Sequence, residues 1–266
     1  MVTLEQLQAG IVLPIDKPHR WTSFQAVNKI KATIRHAYGL KKFKIGHAGT
    51  LDPLATGLLL VCVGKATKQI DTLQQGTKTY TGTIVLGATT PCYDLERPID
   101  HYYPYDHITP ELIAHTLSRF TGDILQVPPM FSAVKIDGQR AYEYARTDDP
   151  TATIQPKPVT VYTFEVTAFR NGSKSNGGSQ QTTPITETPE RHLYNNPLGH
   201  VPTHLPQLGF RIVCGKGTYI RSLARDLGLA VGSGAFLSEL RRESVGEYTV
   251  DNALSLDQVE GYLTGE

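Results

Sequence analysis

The sequence has little cysteine: Cys62, Cys92 and Cys214 are its only three, and no CxxC pair is present. This scarcity argues against a disulfide framework and a cysteine-based zinc site, and it favours a reducing compartment, the cytoplasm. Long apolar runs are also missing, because the run from Leu58 to Val63 is far too short to span a bilayer. No basic leader precedes an apolar block at the N-terminus, which argues against a signal peptide.

Acidic residues are scarce in the first 80 positions, where eleven Lys and Arg stand against four Asp and Glu. The rest of the chain carries fifteen basic against twenty-one acidic residues, so the net charge of +1 hides an uneven distribution. A basic region favours a polyanionic partner such as a nucleic acid, although solvated faces of many proteins also vary in charge. With 266 residues, 39% of them hydrophobic, the chain can bury a sizeable core.

Helical patterns occur at three places. Residues 22–37 fit a helix, because TSFQ at their start matches a capping box and apolar residues follow at helical spacing. Residues 109–120 begin with Thr-Pro, which is a favourable helix start. The segment YIRSLARDLG, residues 219–228, predicts a third helix that closes at its final glycine.

Strand patterns occur at residues 77–87, 160–169 and 210–214, where β-branched or alternating apolar residues predominate. Because strands and helices mix without a regular βαβ rhythm, we predict an α+β fold. Residues 171–206 hold 21 Gly, Ser, Thr, Asn and Pro among 36 residues and lie between two predicted strands. We interpret them as a flexible surface insert within a single domain, residues 1–266.

The stretch GHAGTLDPLATGLLL, residues 46–60, places one carboxylate, Asp52, on a glycine-flanked turn before an apolar run. Asp52-Pro53 alone fits an ordinary helix start, with the helix continuing through PLATGLLL. His47 alone is typical of a turn or a core. The combination favours a functional loop, because His and Asp share one Gly-rich segment with basic residues on both sides and a tyrosine on the next predicted strand.

Three familiar motifs do not fit. GKAT at residues 64–67 lacks the upstream glycine and the magnesium-binding hydroxyl of a phosphate loop. His200 and His204 have the spacing of metal ligands, but they lie in the insert with no obvious third ligand. No GxSxG nucleophile elbow occurs.

GHAGTLDPLATG resembles the signature of the bacterial TruB-type tRNA pseudouridine-55 synthases. Further similar segments lie in family order and cover nearly the whole chain outside the insert: LPIDKPHRWTS, GKATK, KTY, PPMFSAVKIDGQRAYEYAR, CGKGTYIRSLARDLG and LRR. The resemblance implies the pseudouridine synthase fold, with a mixed, mostly antiparallel central sheet flanked by helices and loops. It implies a tRNA partner, the T-arm stem-loop, and no metal or organic cofactor.

The family reaction isomerises a uridine of the tRNA T arm after the base has been flipped out of the stack. The resemblance makes Asp52 the essential acid, because a carboxylate can attack the substrate or take a proton and an amide does neither well. Tyr80 matches the aromatic residue that stacks on the flipped base. His47 matches a histidine beside the flipped nucleotide.

Further site residues follow from the same resemblance. Arg221 matches an arginine that pairs with the catalytic Asp, and Tyr219 and Leu240 match positions that line the uracil pocket. Candidates for phosphate contacts are Lys68, Lys135 and Arg140. Without the resemblance, the simplest interpretations are a strand-core tyrosine for Tyr80, a surface arginine on a helix for Arg221 and a helix core residue for Leu240.

Many family members continue into a C-terminal RNA-binding domain of the PUA type, and we expect that domain to be absent here. We expect no obligatory protein partner. A rival hypothesis is an RNA chaperone that folds tRNA without modifying it, in which Asp52 would be dispensable. A glycoside hydrolase is a weaker alternative, since that chemistry usually needs a second carboxylate and none lies near Asp52 in sequence.

Overall fold

A computed structural model describes residues 1–132, 134–136, 138–146, 153–173 and 201–265. Most of the predicted insert, including His200, lies outside the described residues, so its flexibility stays a prediction. The chain divides into two compact units, one of residues 1–81 with 240–266 and one of residues 82–239. The single catalytic domain predicted over residues 1–266 also stays a prediction.

The helices are α1 (Leu4–Ala9), α2 (Ser23–Tyr38), α3 (Ile70–Gln75), α4 (Pro110–Leu117), α5 (Ala141–Arg146), α6 (Ile220–Ala230) and α7 (Gln258–Thr264). Short 3-10 helices cover Gly64–Gln69, Ser118–Phe120 and Val250–Asn252. The strands are β1 (Ile11–Lys17), β2 (Ile45–His47), β3 (Thr56–Val63), β4 (Lys78–Leu86), β5 (Ala88–Thr89), β6 (His101–Tyr102), β7 (Gly122–Gln126), β8 (Lys135–Ile136), β9 (Gln139–Arg140), β10 (Lys157–Arg170), β11 (Gln207–Cys214), β12 (Ala235–Val245) and β13 (Tyr248–Thr249).

In the first unit, β3 is the central strand. It pairs antiparallel with β1, from Ile11 opposite Val63 to Lys17 opposite Gly57, and antiparallel with the short β2. Its first residues pair parallel with β12, where Arg242 lies opposite Gly57. This register brings β12 beside the segment that leads from Asp52 into β3.

Both faces of β3 are buried. Leu59, Val61 and Val63 pack with α2, β1 and α7 in one hydrophobic cluster, while Leu58 and Leu60 pack in a second cluster on the other side. The alternation follows from the two-residue period of a strand. A strand buried on both faces has an uninterrupted apolar sequence, as TGLLLVCV does.

In the second unit, β10 pairs antiparallel with both β11 and β7. The strand order continues from β11 to β4, of which residues 82–86 belong to this unit. The strand pairing is mixed and mostly antiparallel, and the chain also contains separate helices. These two features confirm the predicted α+β class. None of the helices in the described part of the chain is long and apolar enough to cross a membrane.

Two predicted helices are confirmed with their start signals. Thr22 caps α2, its side chain accepting from the backbone N–H of Gln25 in a complete capping box. Thr109 caps α4, and a 3-10 turn extends that helix to Phe120 as predicted. The strands predicted at 77–87, 160–169 and 210–214 are β4, β10 and β11.

The predicted end of α6 at Gly228 is wrong, because the helix continues to Ala230. Gly228 is a site of close packing: a Cβ there would lie 2.5 Å from the backbone nitrogen of Ala235. The chain turns instead at Gly232, which has a φ of +71°. A glycine near a helix end thus marked close packing and not the cap.

The helix proposed as the alternative for PLATGLLL is also wrong, because the segment turns and becomes β3 at Thr56. Gly57 has a φ of +98°, and a Cβ there would lie 2.3 Å from the carbonyl oxygen of Arg242. This close approach of two strands requires glycine. Leu240, considered as a helix core residue, lies on strand β12.

Candidate active site

Asp52 lies on the loop of residues 48–55, which connects β2 to β3 in the first unit and is called the Asp52 loop here. The side chain of Asp52 is half-buried. Its carbonyl oxygen accepts from the backbone N–H of Ala55 at 3.1 Å, which closes a tight turn. Gly49, with a φ of +98°, begins the loop in a conformation that other residues rarely adopt.

Lys17, at the end of β1, is fully buried. Its Nζ donates to the carbonyl oxygens of Pro18 at 3.0 Å, Trp21 at 2.6 Å and Pro53 at 3.3 Å. The last of these bonds ties the residue that follows Asp52 to β1. The lysine therefore fixes the Asp52 loop to the sheet.

Burial lowers the pKa of Lys17 from 10.5 to about 8, because an ammonium group loses hydration in the interior. The negative charge of Asp52 acts in the opposite direction, while the nearby guanidinium of Arg242 adds to the lowering. Lys17 is still mostly protonated at pH 7. The loop thus contains a carboxylate with a cation close enough to interact with it electrostatically.

Ser23, the first residue of α2, holds the loop at a second point. Its buried Oγ donates to the carbonyl oxygen of Leu51 at 3.1 Å and accepts from the backbone N–H of Leu51 at 2.9 Å. Because both backbone groups of the residue preceding Asp52 are satisfied by one side chain, that residue has little freedom to rotate.

Arg242, on β12, holds the loop at both ends. It is 2% exposed. Its Nε donates to the carbonyl oxygen of Leu58 at 2.7 Å, and its Nη2 donates to that of Gly49 at 3.1 Å. Leu58 follows the loop and Gly49 lies near its start, so a single guanidinium spans the segment that carries Asp52.

His47 ends β2, immediately before the loop. Burial and then the charge of Arg242 lower the pKa of His47 below its usual 6.5, with a smaller opposing effect from the backbone of Gly49. Lowering the pKa of a histidine favours the neutral ring at pH 7, which carries one donor and one acceptor nitrogen.

Tyr80 and Leu240 pack against one hydrophobic cluster of the first unit, as partly buried residues on β4 and β12. The same cluster includes Leu51 and Ala55 of the Asp52 loop. The structure therefore places His47, Asp52, Tyr80 and Leu240 in the first unit, where Tyr80 and Leu240 share a hydrophobic cluster with residues of the Asp52 loop.

Tyr219 and Arg221 lie in the second unit, at the start of α6. The side-chain amide of the buried Gln126 bonds both backbone groups of Tyr219, accepting from its N–H at 2.8 Å and donating to its carbonyl oxygen at 3.1 Å. This pair of bonds fixes the residue where the helix begins.

The interpretation of Arg221 as a surface arginine is wrong, because the residue is only 5% exposed. Its Nε lies 3.7 Å from Oδ2 of Asp94, and its terminal nitrogens donate to the carbonyl oxygens of Cys92 at 3.0 Å and Phe131 at 2.9 Å. The pairing of Arg221 with Asp52 implied by the resemblance stays a prediction.

Lys68 is exposed on the 3-10 helix after β3 and lines a cavity of about 300 Å³. The other lysines at this cavity are Lys42, Lys44 and Lys65, and Phe43 is among its apolar lining residues. Lys135 and Arg140 lie opposite each other in the β8–β9 pair, and their side chains are outside the described part of the structure.

The described residues contain no group of three or more His, Cys, Asp or Glu side chains arranged to hold a metal ion. His204 instead lies near two tyrosine rings, 6.5 Å from that of Tyr102 and 6.4 Å from that of Tyr105 between centroids. The described residues at the Asp52 loop thus provide a carboxylate and the buried cations Lys17 and Arg242 that hold the loop.

Sequence reasoning missed the residues that fix the Asp52 loop, namely Lys17, Ser23 and Arg242. Each lies within a segment that carried the family resemblance, LPIDKPHRWTS or LRR. Lys17 was counted with the basic residues expected to face a polyanion, but it is buried. Those segments were the available signal, yet they did not indicate a contact with the loop.

Comparisons with known proteins give consistent results. Residues 35–220 match the family model described as TruB family pseudouridylate synthase (N terminal domain), and residues 221–265 match the tRNA pseudouridylate synthase B C-terminal domain. The chain is 47% identical over 263 residues to tRNA pseudouridine synthase B of Flavobacterium johnsoniae, covering 98% of this chain and 100% of that one. It is 44% identical to the Phocaeicola vulgatus protein of the same name, covering 96% and 93%.

Solved structures also resemble this chain. One is from a crystal structure of a Cbf5-Nop10-Gar1 complex, with a TM-score of 0.60 and 27% identity, covering 96% of this chain and 55% of that chain. A second, from an H/ACA RNP bound to a substrate RNA containing 2'-deoxyuridine, has a TM-score of 0.57 at 24% identity, covering 98% and 56%. At that identity the second likeness concerns the fold alone.

Proposed function

The chain belongs to the TruB family of pseudouridylate synthases, and we propose that it is a tRNA pseudouridine-55 synthase acting on the T-arm stem-loop. Family membership confirms the predicted relationship to the TruB-type synthases and the predicted pseudouridine synthase fold. The enzyme is an isomerase of the intramolecular transferase class. We place it in the cytoplasm, where tRNA is modified.

The reaction rearranges one nucleotide without adding or removing atoms. The bond between N1 of uracil and C1′ of the ribose breaks, the base turns, and a bond forms between C5 and C1′. The proton on C5 is lost and N1 gains one. A carboxylate is suited to this chemistry because it can act as a nucleophile or accept a proton, and Asp52 supplies it.

The observation that carries this proposal is that three side chains hold the Asp52 loop in place. Lys17, Ser23 and Arg242 hold backbone groups before and after Asp52. A carboxylate held in place by fixed backbone needs less ordering at the reaction step, which lowers the barrier.

A flipped base needs a substitute for the stacking it loses. Tyr80 provides an aromatic face for the uracil, and Leu240 provides an apolar wall. His47 lies directly before the Asp52 loop and contacts the flipped nucleotide. The family resemblance assigns Tyr219 to the uracil pocket and Arg221 to the orientation of the catalytic carboxylate, and we keep both roles as proposals.

Contacts with the RNA backbone come from the basic surface. Lys68 and the three other lysines at the cavity form a positive cluster on the first unit. Lysine side chains contact phosphates as mobile point charges, which favours binding without sequence selectivity. Lys135 and Arg140 are further candidates for phosphate contacts.

The proposal is tested by incubating the protein with an unmodified tRNA transcript and mapping any altered uridine. Wild-type protein should convert one uridine of the T arm to pseudouridine. Asp52→Asn should abolish conversion while RNA affinity stays within about twofold, because the carboxylate acts in the chemical step. Asp71→Asn, which changes an exposed acid on α3 of the same unit, is the matched control and should retain full activity.

Conversion at the normal rate by Asp52→Asn would refute the assignment of this residue. RNA refolding without any conversion by the wild type would favour the chaperone hypothesis. A second test separates stacking from packing at Tyr80. Tyr80→Ala should reduce turnover more than Tyr80→Phe, because phenylalanine retains the stacking face.

A further inference from the structure

Phe24 is the most exposed large aromatic residue among those described, with 70% of its surface accessible. It lies in the first turn of α2, directly after the buried Ser23. An aromatic ring that is mostly exposed at this position is available to a partner. Bases of single-stranded RNA stack on such rings, whatever the base.

Arg20 lies four residues earlier in the segment between β1 and α2. It has a φ of +66°, in the left-handed region that residues with a Cβ rarely adopt. The side chain is exposed, as are those of Pro18 and His19. Strained backbone of this kind persists where the surrounding structure enforces it, and it occurs often at functional sites.

The exposed charge of this segment is positive. Partial burial, followed by the charges of Arg20 and Lys17, lowers the pKa of His19 below its usual 6.5. His19 therefore tends to be neutral at pH 7, and Arg20 is the exposed cation. A guanidinium fits a phosphate through two parallel hydrogen bonds.

The segment is joined to the Asp52 loop by hydrogen bonds. Lys17 Nζ donates to the carbonyl oxygens of Pro18 and Trp21 on one side and to that of Pro53 on the other. Ser23 bonds both backbone groups of Leu51. A molecule bound to residues 18–24 is thus held close to the loop that carries the catalytic carboxylate.

We propose that residues 18–24, the β1–α2 edge, form an RNA-contact site in which Phe24 stacks on a nucleobase and Arg20 binds a phosphate. The nucleotides concerned flank the target uridine, because the edge is fixed to the Asp52 loop. This inference rests on the proposed function and adds a substrate-positioning element to it. An aromatic face beside a cation provides both stacking and phosphate contact, which a strand of RNA requires.

The test measures the affinity of full-length variants for a T-arm stem-loop by fluorescence anisotropy at several salt concentrations. Phe24→Leu should weaken binding about tenfold, in line with the loss of one base stack. Phe24→Trp should bind within about twofold of the wild type, because the stacking face is kept. Tyr262→Leu, which changes another exposed aromatic residue of the same unit, is the matched control and should bind as the wild type does.

Arg20→Gly separates binding from folding. Glycine adopts a positive φ without strain, so the thermal midpoint should be unchanged or higher. The affinity for the stem-loop should nevertheless fall several-fold, and the slope of log K against log salt should decrease by about 0.7 to 0.9. A purely structural arginine would leave affinity and salt dependence unchanged.

Wild-type affinity in both Phe24→Leu and Arg20→Gly would overturn the proposed site. If those variants bind normally while the wild type converts uridine, only the β1–α2 edge is refuted and the enzymatic function stands. If the wild type binds the stem-loop but converts no uridine, the proposed function fails, and weakened binding by the variants would still support the edge.

Discussion

The two units bury cations in different ways. In the first unit, Lys17 and Arg242 are held by backbone carbonyl oxygens, several of them on or beside the Asp52 loop. In the second unit, Arg221 is held by carbonyl oxygens and also by Asp94, with both side chains more than nine-tenths buried. One arrangement positions a loop, and the other fixes the start of a helix through an ion pair.

Because the buried cations of the two units have different partners, we expect different effects when a cation or its partner is removed. A buried ion pair that loses one partner leaves an uncompensated charge, so stability falls steeply. A buried cation held by carbonyl dipoles has lost its hydration at a cost in free energy. Removing the cation recovers that cost, which offsets part of the stability lost with its hydrogen bonds. We therefore expect stability to depend most on the pair in the second unit, and loop position to depend most on the cations in the first.

The largest expected effect is that of Asp94→Asn, which removes a buried negative partner of Arg221. The free energy of unfolding should fall by about 3 to 5 kcal/mol, as measured by urea denaturation. Glu165→Gln is the control, because the Arg211–Glu165 pair is exposed and its loss should cost less than about 1 kcal/mol. Equal losses in the two variants would contradict the contrast drawn between buried and exposed pairs.

The pH dependence of Lys17 sharpens the comparison. Its pKa of about 8 in the folded protein is below the ordinary 10.5, so the unfolded chain binds more protons between these values and stability rises with pH. Between pH 8 and 10.5 the stability of the wild type relative to Lys17→Met should increase by at most about 3 kcal/mol. Urea denaturation of both proteins across this pH range measures the difference between their free energies of unfolding. The contributions of the other titrating groups are the same in both proteins and cancel in that difference. A pH-independent difference would mean that Lys17 is not desolvated.

A smaller effect is expected for Ser23→Ala. The change leaves the buried N–H and carbonyl group of Leu51 without their partner, which should lower the free energy of unfolding by about 1 to 2 kcal/mol. Single-turnover conversion should slow more than RNA binding weakens, because the loop and not the binding surface is loosened. Ser255→Ala, which removes an exposed hydrogen bond from the N–H of Gln258 to a serine hydroxyl, is the control and should leave the conversion rate unchanged.

Local signals were sufficient for several parts of the fold. The capping box joins Thr22 and Gln25, and the start of α4 is marked by the adjacent Thr-Pro pair. Both signals involve residues at most four positions apart, so the sequence reveals them directly. The strand β3 was ambiguous, because a short apolar run buried on both faces has no period that separates it from a buried helix. The close contact between Gly57 and β12 shows that this segment is a strand, but it joins residues far apart in the chain.

The candidate site was predictable in part for the same reason. Asp52 and His47 lie in one motif and Tyr80 lies in the separate KTY segment, and the family resemblance identified all three. The supporting cations depend on long-range contacts: Arg242 meets Gly49 and Leu58 from more than 180 residues away. Burial of a lysine has no local signature, so Lys17 and Lys78 were counted among the basic residues available to RNA although both are buried.

The burial of Lys17 also makes its amine a recorder of loop opening. An amine that leaves the interior regains its ordinary pKa of 10.5, so its reaction with a reagent reports the exposed state and not the buried one. Only the uncharged form reacts with acylating reagents, and burial keeps those reagents out while the loop is closed. The rate at which acylation appears at this residue, followed by mass spectrometry, therefore measures how often the loop opens.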